Sequence, residues 1–274
     1  PGMTLALNDT TFRQLRDLIY EKSGIFIPDA KKYLVEKKIG PRVQERNLTS
    51  FEDYYAFVKF NVNGDENSKI FDAITTNETY FFREPQQFDV FLESIVPSVT
   101  DKKAVKDIRI WSAASSTGEE PYTIALLMAE KKPMVRADIA ASDIRNEVLD
   151  AAKKGVYGSY SVRNVPPPYL QKYFRNNGWS QELNKNVKSM VRFMNLNLID
   201  EKKIKSTVRD IDVIFCRNVL IYFDDKAKQK AVSLLYDSLR PGGYLFIGSS
   251  ESLHSVTRAF KPVTFNKVCV YQKI

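Results

Sequence analysis

Apolar positions in the first third of the chain recur at helical spacing. Phe12, Leu15, Leu18 and Ile19 share one face of a helix over 9–22, which Asp9 or Thr10 can cap and Gly24 stops. Ile25–Pro28 reads as a short extended piece. A second helix over 30–46 sets Leu34, Ile39 and Val43 on one side, imperfectly spaced. Lys31, Lys32, Lys37, Lys38, Arg42 and Arg46 lie on the other, opposed only by Glu36 and Glu45. A third helix, 50–60, starts at Ser50 and carries Phe51, Tyr54, Tyr55 and Val58. The polar stretch 61–68 reads as a turn, and a fourth helix begins near Lys69. Residues 1–75 are therefore expected to form an all-helical domain, with 76–107 as a linker and the start of a second domain.

From residue 108 the pattern changes to strands alternating with helices. Strands are expected at 108–113, 137–141 (ending at Asp143), 191–194, 212–216, 244–248 and 264–271. Helices fall at 119–131, through Val148, Leu149 and Ala152, and at 225–239, the last ended by Pro241–Gly242–Gly243. Such alternation calls for an α/β domain over 108–274, its mainly parallel sheet covered on both faces. The stretch 155–190 breaks the alternation. It holds Pro166–Pro168 and the aromatics Tyr169, Tyr173, Phe174 and Trp179, and reads as an insertion.

Composition narrows the function classes. The 274 residues are 43% hydrophobic, enough for a substantial core. Apolar runs such as Val213–Cys216 are too short to cross a bilayer, and the first residues do not read as a signal peptide. A cytoplasmic protein without direct membrane insertion is expected, with Cys216 and Cys269 reduced. His254 is the sole histidine, which argues against a zinc site. The formal charge is +8, yet residues 1–100 hold 12 Lys/Arg against 15 Asp/Glu, so the basic excess lies beyond them. Over 153–192, eight basic residues meet only Glu182, a pattern that suits an acidic protein partner, a nucleic acid or plain solvent.

In an open parallel sheet, ligands collect beyond the carboxyl ends of the strands. Four features converge there. Ser115–Glu120 follows the first strand with small residues and a helix start, whose free N–H groups favour an anionic group. Asp143 ends the second strand, where a carboxylate can accept hydrogen bonds from ribose hydroxyls or cap the next helix. Asn195–Leu196–Asn197 after the third strand suits adenine or a turn. Arg217–Asn218 abruptly follows a buried strand, so both groups need partners or a cleft. The spaced glycines of a dinucleotide fingerprint are missing, which disfavours a nicotinamide dehydrogenase.

The stretch Thr75–Glu84 resembles the signature of the CheR family, the chemotaxis receptor methyltransferases. Ile110–Ser112 with Ser115–Tyr122, Val165–Tyr169, Phe193–Leu198, Phe215–Phe223 and Leu239–Glu251 resemble further blocks of that family, in family order. The resemblance implies a helical N-terminal domain and a Rossmann-like S-adenosylmethionine-dependent domain with a small antiparallel β insertion. It implies transfer of the methyl group to glutamate carboxylates of chemotaxis receptors, leaving S-adenosylhomocysteine, with no metal. Carried over residue by residue, Asn77, Thr79 and Arg83 reach the cofactor, Glu119 its methionine end and Asp143 its ribose. Asn195 and Leu196 meet the adenine, Asn218 closes the pocket, and Arg83 and Tyr222 face the reacting centre. The chain departs from the family at Ala114–Ser115, where Gly–Cys is usual, and at Arg145, where Asp is common.

A glutamate carboxylate, with a reference pKa near 4.3, is already ionised and needs no general base. The receptor's cytoplasmic helical bundle is the implied partner. Lys37, Lys38 and Arg42 are the expected docking face, and the β insertion is a possible seat for a receptor tail peptide. Two rival readings remain open at this point: a cofactor-binding sensor or scaffold without transfer activity, and a nucleic-acid methyltransferase.

Overall fold

Four helices form before residue 77: α1 Asp9–Ser23, α2 Lys32–Glu45, α3 Phe51–Phe60 and α4 Asp65–Ile74. The structure is a computed structural model that describes residues 5–61 and 64–274. Asn8, rather than Asp9 or Thr10, caps α1, accepting the Thr11 N–H at 2.8 Å. Gly24 closes the helix in the left-handed region at φ 76°. The buried stripe of α2 is Val35, Ile39 and Val43, spaced by four, and Leu34 is half-buried beside it. Helix α4 starts before Lys69 because Gly64, at φ 69°, turns the chain. Asp65 and Glu66 then fill a first turn whose free N–H groups favour acids. Residues 62 and 63 of the expected turn lie outside the described residues.

These helices, with Tyr222–Ala227, make one compact unit, and Glu78–Ile221 with Lys228–Ile274 make the other. Within the first, the fully buried Glu66 accepts hydrogen bonds from Tyr54 Oη (2.8 Å), Arg42 Nε (3.0 Å) and Arg46 Nε (2.7 Å). Burial alone would raise its carboxyl pKa, but those donors carry it below the usual value. Tyr20 Oη donates to Asp224 at 3.0 Å, and Ile25 bridges to Phe223.

The second unit is built on ten strands: β1 Asp107–Ser112, β2 Arg136–Asp143, β3 Val156–Tyr157, β4 Phe174–Asn176, β5 Gln181–Leu183, β6 Val191–Asn195, β7 Ile211–Cys216, β8 Leu239–Ile247, β9 Phe260–Phe265 and β10 Val268–Lys273. Seven form a mixed sheet in the order β6-β2-β1-β7-β8-β10-β9, parallel through β8 and antiparallel at β10 and β9. This is a Rossmann-like α/β frame. Between Val156 and Leu183, β3, β5 and β4 make a small antiparallel sheet.

In this second unit two elements differ from expectation. The final strand is a hairpin, turned at Asn266 (φ 45°) and Lys267 (φ 68°), because a two-residue turn of this hand needs two positive φ values. Pro241–Gly242–Gly243 does not end the helix but sits inside β8, where the register against β7 slips between Ile211 and Val213. Gly243 is needed there, since a Cβ would come within 2.9 Å of the Arg240 carbonyl. The core is aromatic. Phe215 stacks on Phe246 with centroids 4.6 Å apart, and Phe88 and Phe91 pack on Phe215. No helix among the described residues is long and apolar enough to cross a membrane.

Candidate active site

Strand β1 has β2 on one side and β7 on the other, so the carboxyl ends of β1, β2, β6 and β7 flank the switch point of the sheet. The loop after β1 is stitched to both neighbours. Ala113 N–H donates to the Phe215 carbonyl and Ser115 N–H to the Ser142 carbonyl, each at 2.8 Å. Ser116 at φ 47° and Gly118 at φ 94° turn it sharply. A side chain at Gly118 would meet Ala152 Cβ at 2.9 Å and Tyr157 Oη at 3.1 Å. The hydroxyls of Ser115 and Ser116 are buried there without a hydrogen-bond partner among the described residues.

Glu119 opens the following helix, Glu119–Lys131, and its side chain is buried. Neutral donors serve its carboxylate: the hydroxyls of Thr117 at 2.7 Å and Ser161 at 3.1 Å, and its own backbone N–H. No cation among the described residues pairs with it, so burial pushes its pKa up against those hydrogen bonds. A buried carboxylate held by neutral donors is a ready partner for an incoming ammonium group.

Asp143 sits beside this loop. One oxygen accepts the Ser116 N–H at 3.0 Å, and the other accepts Arg145 N–H (3.1 Å) and Nε (3.2 Å). Arg145, the second departure from the family pattern, is thus a buried partner of the carboxylate expected at the ribose. Asn195 Nδ2 donates to the Ile144 carbonyl at 2.8 Å, and Leu196 N–H to the Asp143 carbonyl at 3.0 Å. The ends of β2 and β6 are therefore joined where Asp143, Asn195 and Leu196 meet.

The sequence marks Arg217 as a charge in need of partners but gives it no role, and in the fold it is the hub. Its guanidinium donates to Glu120 (3.0 Å), Glu84 (3.1 Å) and the Arg83 carbonyl (2.6 Å), and lies over the Phe88 ring. Burial outweighs Arg217 at Glu120 and raises that carboxyl, whereas at Glu84 Arg217 and Ser249 outweigh burial and lower it. Asn218, at φ 59°, donates its N–H to Glu251 at 2.8 Å, and the same oxygen takes the Gly248 N–H at 2.7 Å. A Cβ at Gly248 would strike Asn218 Nδ2 at 2.6 Å. The adjacency of Arg83 and Glu84 is the one sequence signal that could have exposed this network.

Thr79 and Arg83 lie on the segment that Arg217 anchors, and Arg83 Nη1 donates to the Glu78 carbonyl. Glu119, Asp143, Asn195, Leu196, Asn218, Thr79 and Arg83 all belong to the larger unit, whereas Asn77 and Tyr222 belong to the smaller. The Tyr222 hydroxyl donates to the Thr76 carbonyl at 2.7 Å and accepts its N–H at 3.1 Å. Asn77 Nδ2 donates to Asp72 at 2.9 Å. On α2, Lys37 is exposed and Lys38 half-exposed, but Arg42 is bound to Glu66 and Glu45.

Comparison with known proteins decides the family. Residues 77–269 match "CheR methyltransferase, SAM binding domain", and residues 10–75 match "CheR methyltransferase, all-alpha domain". The chain belongs to the CheR methyltransferase family. As a CheR protein it is an S-adenosylmethionine-dependent methyltransferase. It is 38% identical over 274 residues to chemotaxis protein methyltransferase 2 of Vibrio cholerae, covering 98% of this chain and 94% of that one. It is 36% identical over 275 residues to the chemotaxis protein methyltransferase of Vibrio anguillarum, covering 98% of each. Against that of Escherichia coli it is 35% identical over 262 residues, covering 93% of this chain and 89% of the relative.

Proposed function

We propose that this CheR protein transfers the methyl group of S-adenosylmethionine to glutamate side-chain carboxylates of chemotaxis receptors in the cytoplasm. The observation that supports the reading is the rim of the sheet, where Glu119 opens the helix after β1, Asp143 and Asn195 end β2 and β6, and the Arg83 carbonyl accepts from Arg217 just after β7. The fit is physical. The unpaired buried Glu119 matches the methionine ammonium, and the unpartnered Ser115 and Ser116 hydroxyls offer donors to its carboxylate. Asp143 would hold the ribose, Asn195 and Leu196 the adenine, and Thr79 and Asn218 would complete the enclosure. Bound S-adenosylmethionine supplies an electrophilic methyl group on a sulfonium.

The chain's own task is placement. An acceptor carboxylate is ionised at neutral pH, so no residue need remove a proton. Arg83 would orient the acceptor through a forked contact, and Tyr222 would donate one further hydrogen bond by exchanging its Thr76 partner. Lys37 and Lys38 would face the acidic bundle of the receptor, and an edge of the small sheet would accept a tail peptide as an added strand. The test supplies labelled S-adenosylmethionine with receptor fragments and measures methanol released by mild base. Arg83→Ala should lose turnover strongly and Tyr222→Phe less; a parent rate in Arg83→Ala ends the assignment. Absence of base-labile label on every fragment would favour a scaffold that binds the cofactor without transfer.

A further inference from the structure

The segment from Glu78 to Glu84 is held in a conformation that its residues do not favour. Phe82 (φ 58°) and Glu84 (φ 56°) both occupy the left-handed region, which is uncommon for any residue with a side chain and rare for a bulky one. Such strain persists only where the surroundings over-determine it. At its carboxyl end the surroundings are the Arg217 network and Ser249, which binds Glu84. In the middle, Phe81 N–H donates to the Ser161 carbonyl at 2.9 Å and Phe82 N–H to Thr123 Oγ1 at 3.1 Å. The Phe81 ring packs edge-on against Tyr157 and Phe174.

The amino end is held differently. Tyr80 and Tyr160 meet edge-to-face, and the Arg163 guanidinium lies 3.6 Å from one ring centroid and 3.7 Å from the other. Tyr160 Oη donates to the Glu78 carboxylate at 2.7 Å, and Arg163 Nη1 to the Tyr160 carbonyl at 2.6 Å. Arg163 is exposed and has no carboxylate partner among the described residues, so two rings and one carbonyl fix it. Arg83 lies over the same Tyr80 ring, 5.7 Å from its centroid. We propose that Arg163 is a positioning residue: clamped between Tyr80 and Tyr160, it sets the Glu78–Arg83 path and hence where Arg83 points. This rests on Arg83 orienting the acceptor.

Two measurements separate the clamp from that reading. In the full chain without ligand, hydrogen exchange at the Phe81 and Phe82 amides should quicken about tenfold in Arg163→Ala and recover partly in Arg163→Lys, which keeps a cation over the rings. Unchanged exchange overturns the clamp whatever Arg83 does. In the methyl-transfer assay, Arg163→Ala should lower kcat about tenfold with little change in acceptor KM, because it acts through placement. The double variant with Arg83→Ala should be no slower than Arg83→Ala alone. Additive losses, or a loss confined to acceptor KM, would mean that Arg163 meets the acceptor itself and would overturn the proposal. A parent rate in Arg83→Ala together with faster exchange in Arg163→Ala would leave the clamp standing and remove the role given to Arg83.

Discussion

Glu119 shows how much a single buried carboxylate can report. Its pKa is raised from 4.5 by burial, so between the unfolded and folded values the folded chain binds more proton there than the unfolded chain. Stability from this group is therefore complete below pH 4.5 and falls as pH climbs through the raised folded value. Glu119→Gln should flatten the decline of melting temperature with pH in that window. A cation seated beside the carboxylate favours its charged form, so binding of S-adenosylhomocysteine should release a proton and tighten as pH rises across the same window. Calorimetry in buffers of different ionisation enthalpy checks this, and Glu119→Gln should abolish the proton release. Release that persists in the variant would place the titrating group elsewhere.

Arg217 makes the complementary case at the same scale. It is buried between two carboxylates, so removing it leaves negative charges without a partner. Arg217→Ala should cost about 3–5 kcal/mol in denaturant melts. Arg217→Lys should cost nearly as much, because a lysine cannot reach Glu84, Glu120 and the Arg83 carbonyl together. A loss under about 1 kcal/mol in both would show the network to be solvated.

At the scale of elements, the sequence pattern carries the fold wherever an element's period is clean. The buried residues of α1, the Ser50 cap of α3 and the apolar strand β7 are all visible in their own residues. What fails to show depends on partners. The turn at Asn266–Lys267 carries only one residue that favours positive φ, and the start of β8 is fixed by pairing with Ile211 across a register slip. Helix α2 gives the same lesson. Its basic side reads as one docking face, yet Arg42 spends its guanidinium on Glu66, which also binds Arg46 and Tyr54. Glu66→Ala should lower the stability of the helical unit by about 3–5 kcal/mol, read by the loss of helical circular dichroism at lower urea. Reversal of Arg42 should do similar damage, whereas reversal of Lys37 and Lys38 should leave the melt unchanged.

The candidate site is legible in residue types but not in their connections. Asp143 is visible as a strand-end acid, but its pairing with Arg145 two residues on needs the turn that brings the guanidinium back. Glu119 is visible as a helix-start acid, while Ser161, its second donor, lies 42 residues away in sequence. Arg217 is visible as a charge after a buried strand, and its three acceptors come from two other stretches of the chain. Groups supplied by one strand end can be anticipated; groups brought together by crossing connections cannot.

For the whole molecule, charge is the remaining determinant of how an acidic partner would be met. The chain carries +8 in total, but its first 100 residues are net negative, with 12 basic against 15 acidic side chains. Under the proposed function, attraction to an acidic receptor region should therefore be long-range and mostly not owed to α2. The association rate should fall steeply as salt rises, since exposed charges are screened beyond about 10 Å at 0.1 M ionic strength. Dissociation should change far less. Lys37→Glu with Lys38→Glu removes four units of charge, yet if α2 docks locally it should raise the dissociation rate as well as slow association. Stopped-flow mixing with a receptor fragment over a salt series distinguishes the two contributions. If the double reversal slows association only in proportion to the lost charge and leaves dissociation untouched, α2 steers without docking. The eight basic residues of 153–192 would then be the surface to reverse next.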